Sequence, residues 1–141
     1  MTKVGKTAKL NNFGNHKISK GEEKISSLLF SNNISFEKEK SFIDLKRGNL
    51  RFDFYLPKDN IVIEVDGIQH FKYTPHFHKS RHEFLHYKEN DRRKNSYCLS
   101  HGIELYRIPY WEIDSIRILS DIFQKKFLVN SKWWNDLLKV P

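Results

Sequence analysis

The sequence has one cysteine, Cys98, and no apolar run near the ~18 residues that a membrane span needs. A lone cysteine excludes intrachain disulfides and is typical of a reducing compartment such as the cytoplasm. The lysine-rich start lacks the apolar stretch of a secretion signal, and no internal repeat is evident. These absences favour an intracellular globular protein with no membrane partner.

Acidic residues are in the minority, because 17 Asp and Glu stand against 25 Lys and Arg, which gives a net charge of +8. Such an excess favours a polyanionic partner, either nucleic acid or an anionic surface. The length of 141 residues suits one domain with a core. We expect a flexible basic arm over 1–19, a single domain over 20–130 and a tail over 131–141. The arm either stays solvated or follows phosphates.

Residues 50–66 alternate apolar and polar side chains on both sides of a turn at 57–60. This alternation predicts two antiparallel strands joined by the turn. If Leu56 pairs with Ile61, the register also places Phe54 opposite Ile63.

The same register places Asp53 opposite Glu64, about 5 Å apart at their Cβ atoms. Like charges at that distance repel unless a cation or a proton lies between them. The pattern therefore predicts a divalent-metal site on the hairpin. The register also brings Arg51 opposite Asp66, whose charge it could balance.

A capping-box pattern, Ser19-x-x-Glu22, precedes an apolar run and predicts a helix of about 12 residues. Glu22 lies on the flank of the helix's inward stripe, which is formed by Ile25, Leu28 and Leu29. Two interpretations of Glu22 stay open, a metal ligand or a residue that only completes the cap.

The rest of the chain predicts further alternating elements. We expect a strand over 34–45, a helix over 87–101, a strand over 103–109 parallel to the returning strand of the hairpin, and an amphipathic helix over 116–127. The sum is an α/β fold with a mixed sheet.

The spacing Asp53-x10-Glu64-x-Asp66 resembles the metal-binding core of the PD-(D/E)XK nuclease superfamily, with Asp66 where that family usually has lysine. Further motifs are similar to those of very-short-patch-repair endonucleases and related homing endonucleases, over roughly residues 20 to 113. These motifs are Gly67-x-Gln69-His70, Glu89-Asn90-Asp91-Arg92-Arg93, Gly102 and Trp111-Glu112.

The resemblance implies a restriction-endonuclease-like core, with a central mixed sheet of about four strands flanked by helices. It also implies a DNA endonuclease in which His70 and Asp91 replace the lysine. In that branch an acid on the first helix, here Glu22, belongs to the site. The helix around Asp91 departs from the family because it is polar where the family is aliphatic, for example at Asn95.

The expected site follows from the pattern and the resemblance together. Mg²⁺ or Mn²⁺ would be held by Asp53, Glu64, Glu22 and Asp66. His70, supported by Asp91, would transfer protons, and Gln69 and Lys72 would stabilise transition-state charge. DNA would be bound by Lys17, Lys20, Arg47, Arg51, Lys79, Arg81, Arg92 and Arg93.

Some of these residues have plainer interpretations. His70 could be a structural, hydrogen-bonded histidine, and Asp91 could be an acid at a helix N-terminus that balances the macrodipole. The histidine-rich stretch 67–86 could close over a nucleic-acid backbone, bind zinc or form an inert surface loop.

Two alternatives to a simple endonuclease stay open. Residues 22–37 also resemble a phage Holliday-junction-resolving endonuclease, so a homodimer that cleaves branched DNA is one alternative. A non-catalytic, basic nucleic-acid-binding module whose acids form salt bridges is the other.

Overall fold

A four-stranded mixed sheet and two α-helices form the fold of the computed structural model, in which residues 18–45 and 50–130 are described. The elements in chain order are α1 (Lys20–Ser31), β1 (Glu37–Lys40), β2 (Phe52–Leu56), β3 (Ile61–Asp66), α2 (Arg81–Ser100) and β4 (Glu104–Pro109). The strands lie side by side in the order β1-β2-β3-β4. The predicted α/β fold with a central mixed sheet flanked by helices is confirmed. The expected arm, apart from its last two residues, and the tail lie outside the described residues.

The central hairpin has the predicted register. Leu56 pairs with Ile61, and Phe54 pairs with Ile63. The turn between them ends at Asn60, whose φ of 56° lies in the left-handed region that asparagine tolerates better than most residues. β4 then pairs parallel with β3, as the helix between them predicts.

Helix α1 begins as its capping box predicts. The Ser19 hydroxyl accepts a hydrogen bond from the Glu22 N–H at 3.1 Å, and the Glu22 carboxylate accepts one from the Ser19 N–H at 3.0 Å. Gly21 lets the helix approach the sheet, since a Cβ there would lie 2.8 Å from the Val65 side chain. The cap and the glycine together fix Glu22 over β3.

We expect Ser19→Ala to lower the free energy of unfolding by about 1 kcal/mol, because the Glu22 N–H then loses its acceptor. Urea denaturation measures the change. Ser27→Ala is the matched control, since Ser27 is exposed within the same helix and alanine is well tolerated in helix interiors, so this change should not lower stability. A loss no larger in Ser19→Ala than in Ser27→Ala would contradict this role of the cap.

Each face of the sheet carries its own core. Ile25 and Leu29 of α1 pack with Phe54 and Ile63 on one face. Tyr97 and Cys98 of α2 belong to a second cluster on the other face, which also includes Phe52, Val62 and Leu105. Phe52 and Phe54 thus contact opposite layers, although a regular strand would place side chains two residues apart on one face. The alternation of β2 breaks at Asp53, the residue between them.

Two expected boundaries and one expected helix were wrong. The first strand is only Glu37–Lys40 rather than 34–45, and α2 starts at Arg81 rather than at 87 because Ser80 caps it. The predicted amphipathic helix over 116–127 is absent from the described residues. Short 3₁₀ turns, Leu119–Asp121 and Lys125–Phe127, take its place.

The apolar residues of that segment nevertheless pack as predicted. Ile116, Ile122 and Phe127 are fully buried in the core beside α1. Within the described residues, neither α-helix is long and apolar enough to span a bilayer.

Candidate active site

Three carboxylates from three different elements meet at one point of the fold. Glu22 of α1, Glu39 of β1 and Asp53 of β2 each place an oxygen within 4.8 Å of the others. Glu22 is buried, and the other two are half-buried. Because oxygen ligands at this spacing suit a hard divalent cation, this carboxylate group is the candidate metal site.

Glu39 reaches the carboxylate group through an irregular backbone. It lies between Lys38 and Lys40, which pair with Phe54 and Phe52, so it sits directly across from Asp53. Its φ of 53° is in the left-handed region, which costs a non-glycine residue about 1 kcal/mol or more. The sequence reasoning missed Glu39, although the register of β1 against Asp53 could have identified it.

Asp53 and Glu64 meet across the hairpin, but not as a regular cross-strand pair. The Asp53 N–H donates to Glu64 Oε2 at 2.7 Å, and the Val65 N–H donates to Asp53 Oδ2 at 2.8 Å. Each carboxylate thus takes a position that a strand carbonyl would normally occupy. This exchange opens the sheet at the point where the alternation of β2 breaks.

Crowding of charge is visible at Asp53. Burial, followed by the negative charges of Glu64 and Glu22, raises the pKa of Asp53 well above its ordinary value. The Val65 N–H and the Lys94 ammonium act in the opposite direction but do not cancel the shift. A bound cation would relieve this repulsion.

Lys94 of α2 provides the positive charge nearest to these acids. Its Nζ lies 3.1 Å from Glu64 Oε1, and its side chain is only 13% exposed. Burial lowers the pKa of Lys94, but the Glu64 and Asp53 carboxylates together outweigh burial and the pKa is raised. The sequence reasoning missed this lysine, although Lys94 follows Asp91 by three residues and therefore shares its helix face.

His70 and Asp91 form the expected pair. His70 Nδ1 lies 2.9 Å from Asp91 Oδ2 and 3.7 Å from Asp66 Oδ1. Burial lowers the pKa of His70, but the two carboxylates outweigh it, and the pKa is raised. Burial raises the pKa of Asp91, but Arg107 and His70 dominate and lower it to about 2. The pair therefore keeps His70 in its charged form to a higher pH than a free histidine.

Asp91 lies in the middle of α2, because the helix begins ten residues earlier than Asp91 at Arg81. The alternative that Asp91 balances the positive end of a helix is therefore wrong. Its partners, His70 and Arg107, come from other elements of the fold.

Asp66 lies apart from the carboxylate group. It is 1% exposed, and Arg107 Nη1 donates to both of its carboxylate oxygens at 2.9 Å. The expectation that Arg51 balances Asp66 was wrong, since Arg51 is exposed and Arg107 takes that role. The structure also explains why the helix has a polar residue at Asn95. The Asn95 side-chain oxygen accepts a hydrogen bond from Arg107 Nε at 2.8 Å.

The other expected residues form a looser set. Gln69 is half-buried beside His70, and Lys72 is exposed. Most of the expected DNA-binding residues are exposed, namely Lys20, Arg51, Lys79, Arg81 and Arg92, while Arg93 is half-buried. Lys17 and Arg47 lie outside the described residues. The carboxylate group is the only cluster of three or more metal-capable residues found among the described residues, and no loop histidine belongs to it.

With this geometry in place, the chain was compared with known proteins. No family model matches it. No solved structure matches it either. The sequence is 37% identical over 62 residues to uncharacterized protein 307L of Invertebrate iridescent virus 6, covering 44% of this chain and 32% of that protein. It is 27% identical over 63 residues to uncharacterized protein 033L of Invertebrate iridescent virus 3, covering 45% of this chain and 32% of that protein. The chain therefore matches about a third of the length of these viral relatives.

We expect the pH dependence of stability to report the His70–Asp91 pair. Because the pKa of His70 is raised in the folded protein, the pair stabilises the fold fully below about pH 6.5, the unfolded value. This contribution is lost as the pH rises through the folded pKa.

Urea denaturation of wild type and His70→Gln from about pH 5 to about pH 9 measures this contribution. The stability difference between the two proteins should shrink as the pH rises. His82→Gln is the matched control, because His82 is exposed on α2. A difference that stays constant with pH would show that the pair does not contribute as described.

Proposed function

We propose that this protein is a metal-dependent endonuclease that hydrolyses phosphodiester bonds in DNA, with Mg²⁺ or Mn²⁺ as its cofactor. The observation that carries the proposal is the crowding of Glu22, Glu39 and Asp53 within 4.8 Å of one another. Asp53 belongs to the hairpin whose second strand leads to the His70–Asp91 pair. Carboxylates held so close are stabilised by a dication.

Glu22, Glu39 and Asp53 would hold the metal, and Glu64 stands next to Asp53 across the hairpin. When bound, such an ion polarises the scissile phosphate and lowers the pKa of an attacking water. In the proposed site Glu64 also positions Lys94, because the Lys94 Nζ donates to Glu64 Oε1 at 3.1 Å.

His70 is suited to proton transfer. Its Nδ1 faces Asp91, so Nε2 is the nitrogen left to take a proton from water or to give one to the leaving oxygen. Asp91 fixes the orientation of the ring and favours its charged form. A raised pKa keeps the histidine able to exchange protons near neutral pH.

Lys94 would provide the positive charge that the family's usual lysine provides, since this chain has Asp66 at that lysine's position. Its ammonium is held between the acids of the hairpin and the His70 side of α2, where negative charge would build up on the phosphate. Gln69 and Lys72 remain candidates for the same support. The exposed arginines and lysines would bind the DNA backbone in a salt-dependent way.

The restriction-endonuclease-like character of the core and a cytoplasmic setting belong to the same proposal. The four-stranded mixed sheet with a helix against each face supports the first. The thiol of Cys98 supports the second, because it is buried and burial raises its pKa to about 12, as suits a reduced, unreactive cysteine.

A nicking assay on supercoiled DNA tests the function. Wild type should nick the DNA with Mg²⁺ or Mn²⁺ and lose this activity in excess chelator, and His70→Ala should be slower by about 100-fold or more. Glu37→Gln is the matched control, because Glu37 is an exposed acid of β1 outside the carboxylate group. Equal cleavage with and without chelator would contradict a metal-dependent mechanism.

Comparing the cleavage of a four-way junction with that of a linear duplex shows whether branched DNA is the preferred substrate.

A non-catalytic DNA-binding module is the second candidate. Two observations favour it, since Glu64 is paired with Lys94 and Asp66 with Arg107. Titration calorimetry with Mn²⁺ separates the two, because a pure binding module takes up no stoichiometric metal. The endonuclease is favoured because Glu22, Glu39 and Asp53 stay crowded despite those ion pairs.

A further inference from the structure

His70 lies in a turn that its own residues fix only weakly. Ile68–His70 is a single 3₁₀ turn after β3, and all three of its residues are half-buried. The His70 N–H donates to the Gly67 carbonyl at 3.0 Å, and the Phe71 N–H donates to the Ile68 carbonyl at 2.9 Å, so these bonds stay within the turn. Among the described residues, no side chain caps its start. Because a short turn with little burial opens easily, its position depends on contacts from other elements.

Helix α2 provides two such contacts, and both are to His70. Lys88 Nζ donates to the His70 carbonyl oxygen at 3.2 Å, and Asp91 Oδ2 lies 2.9 Å from His70 Nδ1. Lys88 and Asp91 are three residues apart on the helix, so they share one of its faces. The first contact fixes the main chain of the histidine and the second fixes its ring. Together they determine where the other ring nitrogen, Nε2, points.

Lys88 differs from an ordinary surface lysine. It is half-buried, and burial lowers the pKa of Lys88, while the negative charge of Asp91 acts in the opposite direction. Withdrawing an ammonium group from water is costly unless the group gains a hydrogen-bond partner. The His70 carbonyl is that partner, and a hydrogen bond from a charged donor is stronger than one between neutral groups. The contact is therefore more than a loose surface interaction.

Lys88 reaches His70 from the main-chain side. A cavity of about 380 Å³ is lined by His70, Asp91 and Lys94, but Lys88 is not among the described residues that line it. Its hydrogen bond goes to the carbonyl of His70 and leaves the ring to Asp91. Lys88 would therefore act on a reaction in that cavity only through the position of the histidine.

We propose that Lys88 is a positioning residue for His70, whose main chain it holds against α2 so that the ring stays on Asp91 and presents Nε2 for proton transfer. The inference rests on the proposed endonuclease function where it concerns cleavage, while the hold on His70 can be measured without any cleavage. The hold needs a donor with the reach of lysine. Arginine meets this requirement, whereas methionine, which has a similar size, does not.

The substitution Lys88→Met has two effects on His70 that differ in sign. Loss of a nearby positive charge would by itself raise the pKa of His70. Loss of the hold would let the ring part from Asp91, whose carboxylate raises that pKa, so the pKa would fall. The charged groups that act on His70 are Asp66 of β3, Asp91 of α2 and Arg107 of β4, and the substitution changes none of them. A fall in the pKa of His70 is therefore the signature of positioning.

NMR titration of the His70 imidazole in the full chain without metal measures the hold. The pKa of His70 should fall below that of wild type in Lys88→Met and return toward it in Lys88→Arg. Lys88→Gln is a second variant that keeps the helix polar, and its shorter side chain should not reach the carbonyl, so it should give the same fall. Arg92→Met is the control for charge, because Arg92 is 65% exposed on α2 and pairs with Glu89. This control should not lower the pKa of His70.

Cleavage of DNA with Mg²⁺ gives the second readout. Since a misplaced proton-transfer group slows the chemical step, kcat should fall by about tenfold or more in Lys88→Met while KM for DNA stays unchanged. Lys88→Arg should recover most of the loss. A merely structural role of Lys88 would lower stability without this split between kcat and KM and without the fall in the pKa of His70.

The outcomes separate the inference from the proposed function. A pKa of His70 that is unchanged or raised in both Lys88→Met and Lys88→Gln would overturn the inference, while Mg²⁺-dependent nicking by wild type leaves the endonuclease standing. A fall that Lys88→Arg reverses, without any nicking by wild type, would retain the hold on His70 and overturn the endonuclease. An equal fall in Arg92→Met, or a raised KM with kcat unchanged in Lys88→Met, would also overturn the inference.

Discussion

Replacing Asp53 with asparagine should greatly slow DNA cleavage and at the same time make the metal-free protein more stable. Asparagine has nearly the same shape, and its side-chain oxygen can still accept from the Val65 N–H. What it removes is one negative charge from the group formed with Glu22 and Glu39. Because several kcal/mol of transition-state stabilisation depend on such a metal site, we expect cleavage to fall by about 100-fold or more.

The gain in stability follows from the sign of the pKa shift. Burial, Glu64 and Glu22 raise the pKa of Asp53 in the folded protein, so its ionisation opposes folding. Wild-type stability should therefore fall as the pH rises from about 4, the unfolded value, through the folded pKa. An asparagine side chain cannot ionise, so the advantage of Asp53→Asn should grow over the same range. Added Mg²⁺ should stabilise wild type and leave Asp53→Asn unchanged.

Thermal denaturation with and without Mg²⁺, together with the nicking assay, measures both effects. Glu37→Gln serves as the control, since it removes an acid from the exposed part of β1 and should change neither. If Asp53→Asn cleaved DNA as wild type does, the carboxylate group would not be the metal site. If the variant were less stable than wild type in chelator, the repulsion inferred at Asp53 would be wrong.

The hairpin could be predicted from the sequence because its information is local. A turn at 57–60 with alternating apolar residues before it and apolar residues at 61, 63 and 65 after it leaves one register that buries Phe54 and Ile63 together. The cap of α1 is local too, since Ser19 and Glu22 are three residues apart. The parallel strand β4 follows from a general rule for a strand that returns after a helix.

The composition of the site could not be predicted in the same way. The register of β1 against β2 places Glu39 across from Asp53, but its left-handed backbone angle and the break in the alternation of β2 leave no residue pattern. Lys94 arrives from 30 positions beyond Glu64 in the chain. Asp66 was placed among the metal ligands from the spacing of the motif, but Arg107 from β4 pairs with it instead.

The missing helix has a simpler explanation. Ile116, Leu119 and Ile122 recur every third residue, which places them on one side of a 3₁₀ turn as readily as on one side of an α-helix. Without a strong cap, the pattern does not distinguish the two. The start of α2 was missed for the opposite reason, because its first turns are polar and histidine-rich and show no apolar period.

Arg107→Met should destabilise the protein more than any other change considered for the fold. Arg107 is 1% exposed and binds both oxygens of Asp66, while its Nη2 lies 3.7 Å from Asp91 Oδ1. Methionine leaves two acids in a buried setting without their cation. Loss of one partner of a buried pair typically costs about 3–5 kcal/mol, a large share of the ~5–15 kcal/mol that stabilise a domain.

Urea denaturation of Arg107→Met tests this, with Arg92→Met as the matched control, because Arg92 is 65% exposed in its pair with Glu89 and should contribute under about 1 kcal/mol. Adding Asp66→Asn to Arg107→Met should recover part of the loss, since one of the unpaired charges is then removed.

The single change Arg107→Met should also alter the candidate site, because Arg107 lowers the pKa of His70. The pKa of His70 in Arg107→Met, measured by NMR titration in a folded sample, should therefore rise above that of wild type. A cost no greater than that of Arg92→Met, with the pKa of His70 unmoved, would mean that Arg107 neither holds the acids in place nor tunes the histidine.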